Sequence, residues 1–239
     1  MKRMLVTCLL MVALALPATS HALTIASGAG YKKLVNDLVT AYEKTSTIKP
    51  ELVFGNMGQV TAQAKGSGVV DIVIGEKGFL DKAGLKFAPF SEIGRGVLVV
   101  AWPKGKTLKS PLDVAKPDVK RLAMPDPVKA IYGRAGKQFL DHAGIANAVK
   151  DKLLVVATVP QVTTYVLSGE VDAGLTNRTD VMNLGDKIGG FMEIDQKDYE
   201  PIVIGAGLLA NAKKTEEGKD FIKFLATDAA KAVAKKHGM

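Results

Sequence analysis

The sequence predicts an α/β protein of two lobes joined by two crossings of the chain. Short apolar runs alternate with amphipathic stretches along most of the 239 residues, the pattern of strands alternating with helices, which argues for a parallel sheet with helices on both faces. Several of the strand-like runs end in small-residue turns that lead straight into a helix. A lysine-rich passage with two prolines, 104–120, breaks the alternation near the middle, and a strand-like run at 201–205 returns near the end.

The first unit sets the pattern. Leu23-Thr24-Ile25-Ala26 reads as a buried strand, and Ser27-Gly28-Ala29-Gly30 breaks it with two glycines. From Tyr31 to Lys44, Leu34, Leu38 and Tyr42 recur four apart with Val35 and Val39 beside them, one apolar face of a helix. Strand, turn and helix in that order aim unpaired backbone N–H groups at one point, which the helix dipole makes partly positive. Geometry alone would also ask for small residues in such a turn. The turn is no nucleotide fingerprint, because Lys33 stands where G-x-G-x-x-G needs its third glycine and no G-K-[ST] follows.

The unit then repeats. Glu51-Leu52-Val53-Phe54 reads as a strand, Gly55-Asn56-Met57-Gly58 as a turn and Gln59 to Lys65 as a short helix. Val70 to Gly75 is a third strand, and Val97 to Trp102 a continuous apolar one halted by Pro103. Beyond the lysine-rich passage come a short strand, Leu122-Ala123-Met124, and a helix from Gly133 to Ala143. A strand at Leu153 to Val156 precedes a helix from Val159 in which Pro160 suits a first-turn position. Ala173 to Thr176 is a strand, Asn177 to Asp180 opens a helix, and two helices close the chain at 215–225 and 228–236, with Phe221, Phe224 and Leu225 as the buried stripe of the first. The expected divisions are a leader at 1–22, a first lobe at 23–100 and 203–239, and a second lobe at 101–202.

The leader is read from Met1-Lys2-Arg3, the apolar run Met4 to Leu16, and small residues at Ser20 and Ala22. That run is shorter than the about 20 residues a membrane anchor needs. Nothing after it resembles a membrane span, so a secreted, soluble chain is expected. Cys8 is the single cysteine; with the leader removed there is no thiol, disulfide or cysteine metal ligand, and the fold must rest on its core. The formal charge of +8 falls by two without Lys2 and Arg3. The lysines are spread along the chain, which suits a small anionic ligand and argues against nucleic acid.

Catalysis finds little support. His142 and His237 are the histidines outside the leader, and no G-x-S-x-G, H-E-x-x-H or cysteine nucleophile is present. Asp71, Glu76 and Asp126 nominate no acid–base pair, and no metal-ligand cluster stands out. Catalytic residues, metal and cofactor are therefore read as none.

Taken together, L-T-I-A-x-G-A-G-Y, F-G-N-M-G, D-I-V-I-G-E-K, L-V-V-A-W-P-K-G, P-D-P and the ending F-x-x-F-L…K-K-H-G resemble the periplasmic molybdate-binding proteins of ABC importers, over nearly all of residues 23–239. The resemblance implies the type II periplasmic-binding fold, each lobe a mixed sheet flanked by helices, closing on a tetrahedral oxyanion held by hydroxyls and backbone N–H groups. Its first-turn serine falls at Gly30, followed by Tyr31. Its second-turn serine falls in Asn56-Met57-Gly58, its backbone contacts at Tyr132 and Val159, and its tyrosine at Asn177. Glycine and methionine keep their N–H groups, and Tyr31, Tyr132, Asn56 and Asn177 are available as side-chain donors.

Each of these residues has a plainer reading. Tyr31 packs at a helix start, Asn56 and Asn177 cap helices, Met57 fills core, and Arg134 and Arg178 are surface charges rather than carboxylate binders. The expectation is a monomeric periplasmic solute-binding protein that passes molybdate or tungstate to an ABC permease. A different small anion or organic acid, a sensory output, and an enzyme on the same fold are the alternatives.

Overall fold

The computed structural model describes residues 22–239, so all of the expected leader except Ala22 lies outside the described residues. The strands are β1 (Thr24–Gly28), β2 (Glu51–Gly55), β3 (Ile72–Glu76), β4 (Phe87–Gly96), β5 (Leu98–Trp102), β6 (Leu122–Pro125), β7 (Leu153–Val156), β8 (Ala173–Asn177), β9 (Gly190–Glu193) and β10 (Ile202–Leu209). The helices are α1 (Lys32–Tyr42), α2 (Met57–Gly66), α3 (Lys77–Lys82), α4 (Ile131–His142), α5 (Ala146–Val149), α6 (Val159–Ser168), α7 (Arg178–Met182), α8 (Thr215–Phe224) and α9 (Asp228–Lys236).

Two five-stranded sheets result, ordered β2-β1-β3-β10-β4 and β7-β6-β8-β5-β9. In each, three strands run parallel, and a strand entering from across the molecule lies antiparallel to the third. The sheets are thus mixed, as the resemblance implies; the alternation of strands and helices alone suggests parallel sheets because apolar runs carry no information on strand direction. Gly96 ends β4 in the first sheet and Leu98 opens β5 in the second, one residue apart. The expected division after residue 100 falls inside β5, whose pairing with β8 and β9 places Leu98–Trp102 with the second sheet.

Periodicity located the core well. Leu34, Val35, Leu38, Val39 and Tyr42 are all buried on α1, where fully covering an aliphatic side chain of this size contributes about 1.5–3 kcal/mol. Tyr42 stacks edge-on against Phe221 at 5.2 Å while its hydroxyl donates to Asp220 at 2.7 Å. Strand β5 is buried on both faces: Leu98 and Val100 join the main core, Val99 and Ala101 a smaller cluster with Val162 and Val166. That is why its sequence reads as an unbroken apolar run. Asp71 is a structural clamp, its carboxylate accepting from the N–H groups of Thr24, Lys213 and Lys214.

Elements without a strong sequence signature were not anticipated. Edge strand β4 is half-exposed and carries Pro89, which only an edge tolerates. Edge strand β9 is four residues long. Helix α3 begins at Glu76, whose carboxylate accepts from the N–H groups of Gly78 and Phe79.

Candidate functional site

Four helices begin where four strands end, and the lobes meet across those starts. Strand β1 leads through Ala29–Tyr31 into α1, and β2 through Asn56 into α2; from the other lobe, β6 leads through 126–130 into α4, and β7 through Thr158 into α6. These are carboxyl ends of strands, the side on which open α/β sheets bind ligands. The cavity between them has a volume of ≈ 20 Å³, where a single water needs roughly 10–15 Å³. Its wall includes Gly30, Tyr31, Asn56, Met57, Tyr132 and Val159, together with Ala130, Ile131 and Thr158, and no charged side chain.

The wall is rich in unspent donors. A helix leaves its first N–H groups without intrahelical partners. In α2 the Asn56 side chain accepts from Gln59 N at 2.9 Å, and the Gln59 side chain accepts from Asn56 N. Gly58 N donates across the cleft to the Lys129 carbonyl at 3.1 Å. Met57 N is left over. In α6 the Thr158–Gln161 capping box and Pro160, which has no N–H, leave Val159 N. Helix α4 has no side-chain cap at all, so Ile131, Tyr132 and Gly133 all keep free N–H groups among the described residues. Gly30 N likewise has no protein acceptor there. Each lobe therefore directs backbone donors, backed by helix dipoles, at one small neutral cavity.

Two tyrosines span the cleft. The hydroxyls of Tyr31 and Tyr132 are 2.6 Å apart, and both residues are at most 2 % exposed. Burial pushes the Tyr31 phenol well above its ordinary range, and the neighbouring Tyr132 adds to the effect. Burial raises Tyr132 also, against the opposing hydrogen bond from Tyr31. Both stay neutral, and two hydroxyls sharing one bond leave a proton to donate. The pair sits over Gly96 at the end of β4: a Cβ there would lie 2.3 Å from the Tyr132 hydroxyl and 3.1 Å from that of Tyr31.

The remaining candidates have specific employment. Asn177 Oδ1 accepts from Asp180 N to cap α7, while Nδ2 donates to the Gly30 carbonyl across the lobes at 3.2 Å. Neither it nor Gly58 lines the cavity. Gly30 carries no Cβ, and one placed there would stand 3.0 Å from both Asn177 and Val159, so this turn packs against the opposite lobe. Met57 does both things considered for it: it lines the cavity and fills core, 1 % exposed, against Gly28 and Gly75.

Neither arginine faces the cavity and neither is a free surface charge. Arg134 pairs with Glu76 at 2.7 Å; Arg178 pairs with Glu193 at 2.9 Å and donates to the Gly238 carbonyl. Asp126 accepts from the N–H groups of Val128 and Lys129, shaping the turn before α4. Sequence reasoning missed Ile131 and Gly133, although the absence of any Ser, Thr, Asp or Asn at 130 was a visible sign of an uncapped helix. No group of three or more His, Cys, Asp or Glu suited to a metal occurs among the described residues.

Two α/β lobes meeting over a small cleft lined with backbone donors define a two-lobed solute-binding protein. The chain belongs to the bacterial extracellular solute-binding protein family, whose model matches residues 23–239. It is 27% identical over 226 residues to a Bacillus subtilis protein provisionally named an ABC transporter substrate-binding lipoprotein, covering 90% of this chain and 85% of that one. It is 26% identical over 240 residues to a molybdate-binding protein of Azotobacter vinelandii, covering 94% and 92%. The fold superposes on a solved periplasmic molybdate-binding protein of Azotobacter vinelandii with a TM-score of 0.80 at 21% identity, over 90% of this chain and 97% of that one.

Proposed function

We propose that the protein captures a small, fully deprotonated oxyanion, molybdate or tungstate foremost, between its lobes and delivers it to the permease of an ABC importer. In this reading residues 1–22 direct export and are removed, and the protein works in the periplasm as a monomer without cofactor. The lobes rotate about Val97 and the 199–201 segment.

The observation that supports it best is the convergence of free N–H groups from Met57, Val159 and the uncapped start of α4 on a cavity without charged walls. Helix N-termini stabilise negative charge without a bulky counter-ion. Several oxygens near the cavity are spent: Asn56 and Asn177 cap helices and the Gly30 carbonyl accepts from Asn177, while the Thr158 hydroxyl donates to Gln161 Oε1. A site lined by free backbone donors and by no carboxylate favours an anion that has no proton to place. The ligand contacts in this reading are Gly30, Tyr31, Met57, Tyr132 and Val159, with Asn56, Gly58 and Asn177 shaping the cleft around them.

A second reading, a different compact anion or a small carboxylic acid, draws on the absence of hydroxyls at Gly30 and Met57. A thermal-shift panel separates the two. Molybdate, tungstate, sulfate, phosphate and small carboxylates would each be added at about a hundred times a micromolar Kd, where a true ligand adds about 2.7 kcal/mol and several degrees. A shift confined to molybdate and tungstate is expected. A shift with carboxylates alone would establish the second reading, and no shift with any anion would remove both.

A further inference from the structure

We infer that Glu76 and Arg134 form a latch between the lobes that populates the closed cleft before any ligand arrives and slows ligand release afterwards. The inference rests on the reading of the cleft as a site that opens and closes. Glu76 ends β3 in the first lobe, and Arg134 lies in the first turn of α4 in the second, 58 positions away. Their side chains are 5 % and 19 % exposed, and Arg134 Nη2 donates to Glu76 Oε2 at 2.7 Å.

The carboxylate is held in place independently of the arginine. Its oxygens already accept from Gly78 N at 2.8 Å and Phe79 N at 2.7 Å, so the start of α3 fixes it as a receptor on one lobe. The guanidinium lies 5.9 Å from the Phe79 ring centroid, which adds an aromatic face to the receptor. A preorganised acceptor lowers the entropic cost of forming the pair.

The pair is also next to the cleft. Arg134 directly follows the three free N–H groups of α4, and its N–H returns to the Ala130 carbonyl at 3.0 Å. Opening the lobes must separate Arg134 from Glu76. Each charge then needs water, and the site regains neutrality only on closure. The latch thus acts on the lifetime of the closed form, with no contact to the ligand.

The test uses Arg134→Gln, Glu76→Gln and the double variant. Glutamine at 76 keeps an acceptor for the α3 cap, and unfolding midpoints check that each variant folds. In stopped-flow measurements with molybdate, each single variant is expected to speed release by at least about fivefold, the low end of ordinary coupling. Association should be no slower, because more of each ligand-free variant is open to ligand, and the double variant should release no faster than the singles. Effects of opposite sign for the two singles, or unchanged release, would overturn the latch. Small-angle scattering of the ligand-free protein decides the matter even if molybdate does not bind. A larger radius of gyration in the variants supports the latch, and an unchanged one overturns it.

Discussion

Gly133→Ala is expected to lower the unfolding midpoint by roughly 6–12 °C, the equivalent of about 3 kcal/mol in a protein of this length. A Cβ at this position would lie 2.1 Å from the Asp126 carbonyl oxygen, and 2.5 Å from both the Asp126 carbonyl carbon and the Pro125 oxygen. All three are backbone atoms, so no side chain can rotate away. The turn they belong to is itself fixed: Asp126 N donates to Val156 O at 2.7 Å, and Ala130 N donates to Asp126 O. The start of α4 must therefore lift, which moves the free N–H groups of Ile131 and Tyr132 away from the cavity. Oxyanion affinity should fall at least about tenfold, the cost of roughly 1.4 kcal/mol of lost contact. Differential scanning calorimetry with and without anion reads both effects. An unchanged midpoint would show that α4 is not seated on the 125–126 backbone.

The second large effect is expected at the tyrosine pair. Tyr132→Phe strands the Tyr31 hydroxyl in a fully buried setting, at a cost of about 1–3 kcal/mol. Because the two residues come from different lobes, that cost falls on the closed form, and ligand affinity should drop roughly 5- to 150-fold. The Tyr31→Phe/Tyr132→Phe double variant, which leaves no orphan, should recover part of the loss. The same pair predicts the pH dependence. Both phenols are raised on burial, so closure requires them protonated. Affinity should be level from neutral pH to about 10, the ordinary phenol value. Above it the open form loses a proton that closing must restore, so affinity falls as pH rises. Affinity that is level through pH 11, or a double variant as weak as the sum of the singles, would contradict this role.

What could be read from the sequence followed from local physics. The apolar face of α1, the runs of β1 and β5, and the turns at 27–30 and 55–58 each express a rule operating within a few residues. Those turns located two of the four helix starts at the cleft, and the resemblance pointed to the other two through Tyr132 and Val159. The mixed sense of the sheets came from the family resemblance and not from the apolar runs, because a run of valine and isoleucine looks the same in either direction. Strand β4, with its proline and exposed face, lacked the continuous apolar signal of its neighbours.

At the site, pairings between distant residues were the main gap. Tyr31 and Tyr132 are 101 positions apart and Glu76 and Arg134 are 58 apart, and no periodicity links them. Asn56 and Asn177 were balanced between capping and ligand contact; the geometry gives both as caps, with Asn177 also bridging the lobes. The missing serines were visible in the sequence, but only the fold shows that at Gly30 the opposite lobe occupies the space beside the turn.

Oxyanion capture is tested most directly by a crystal structure of the protein grown with sodium molybdate, with diffraction recorded at the molybdenum absorption edge. The expected result is one anomalous peak between the lobes, with its oxygens in hydrogen-bond reach of the N–H groups of Met57, Tyr132 and Val159. A cleft without that peak, in crystals whose lobes are free to close, would contradict capture at this site.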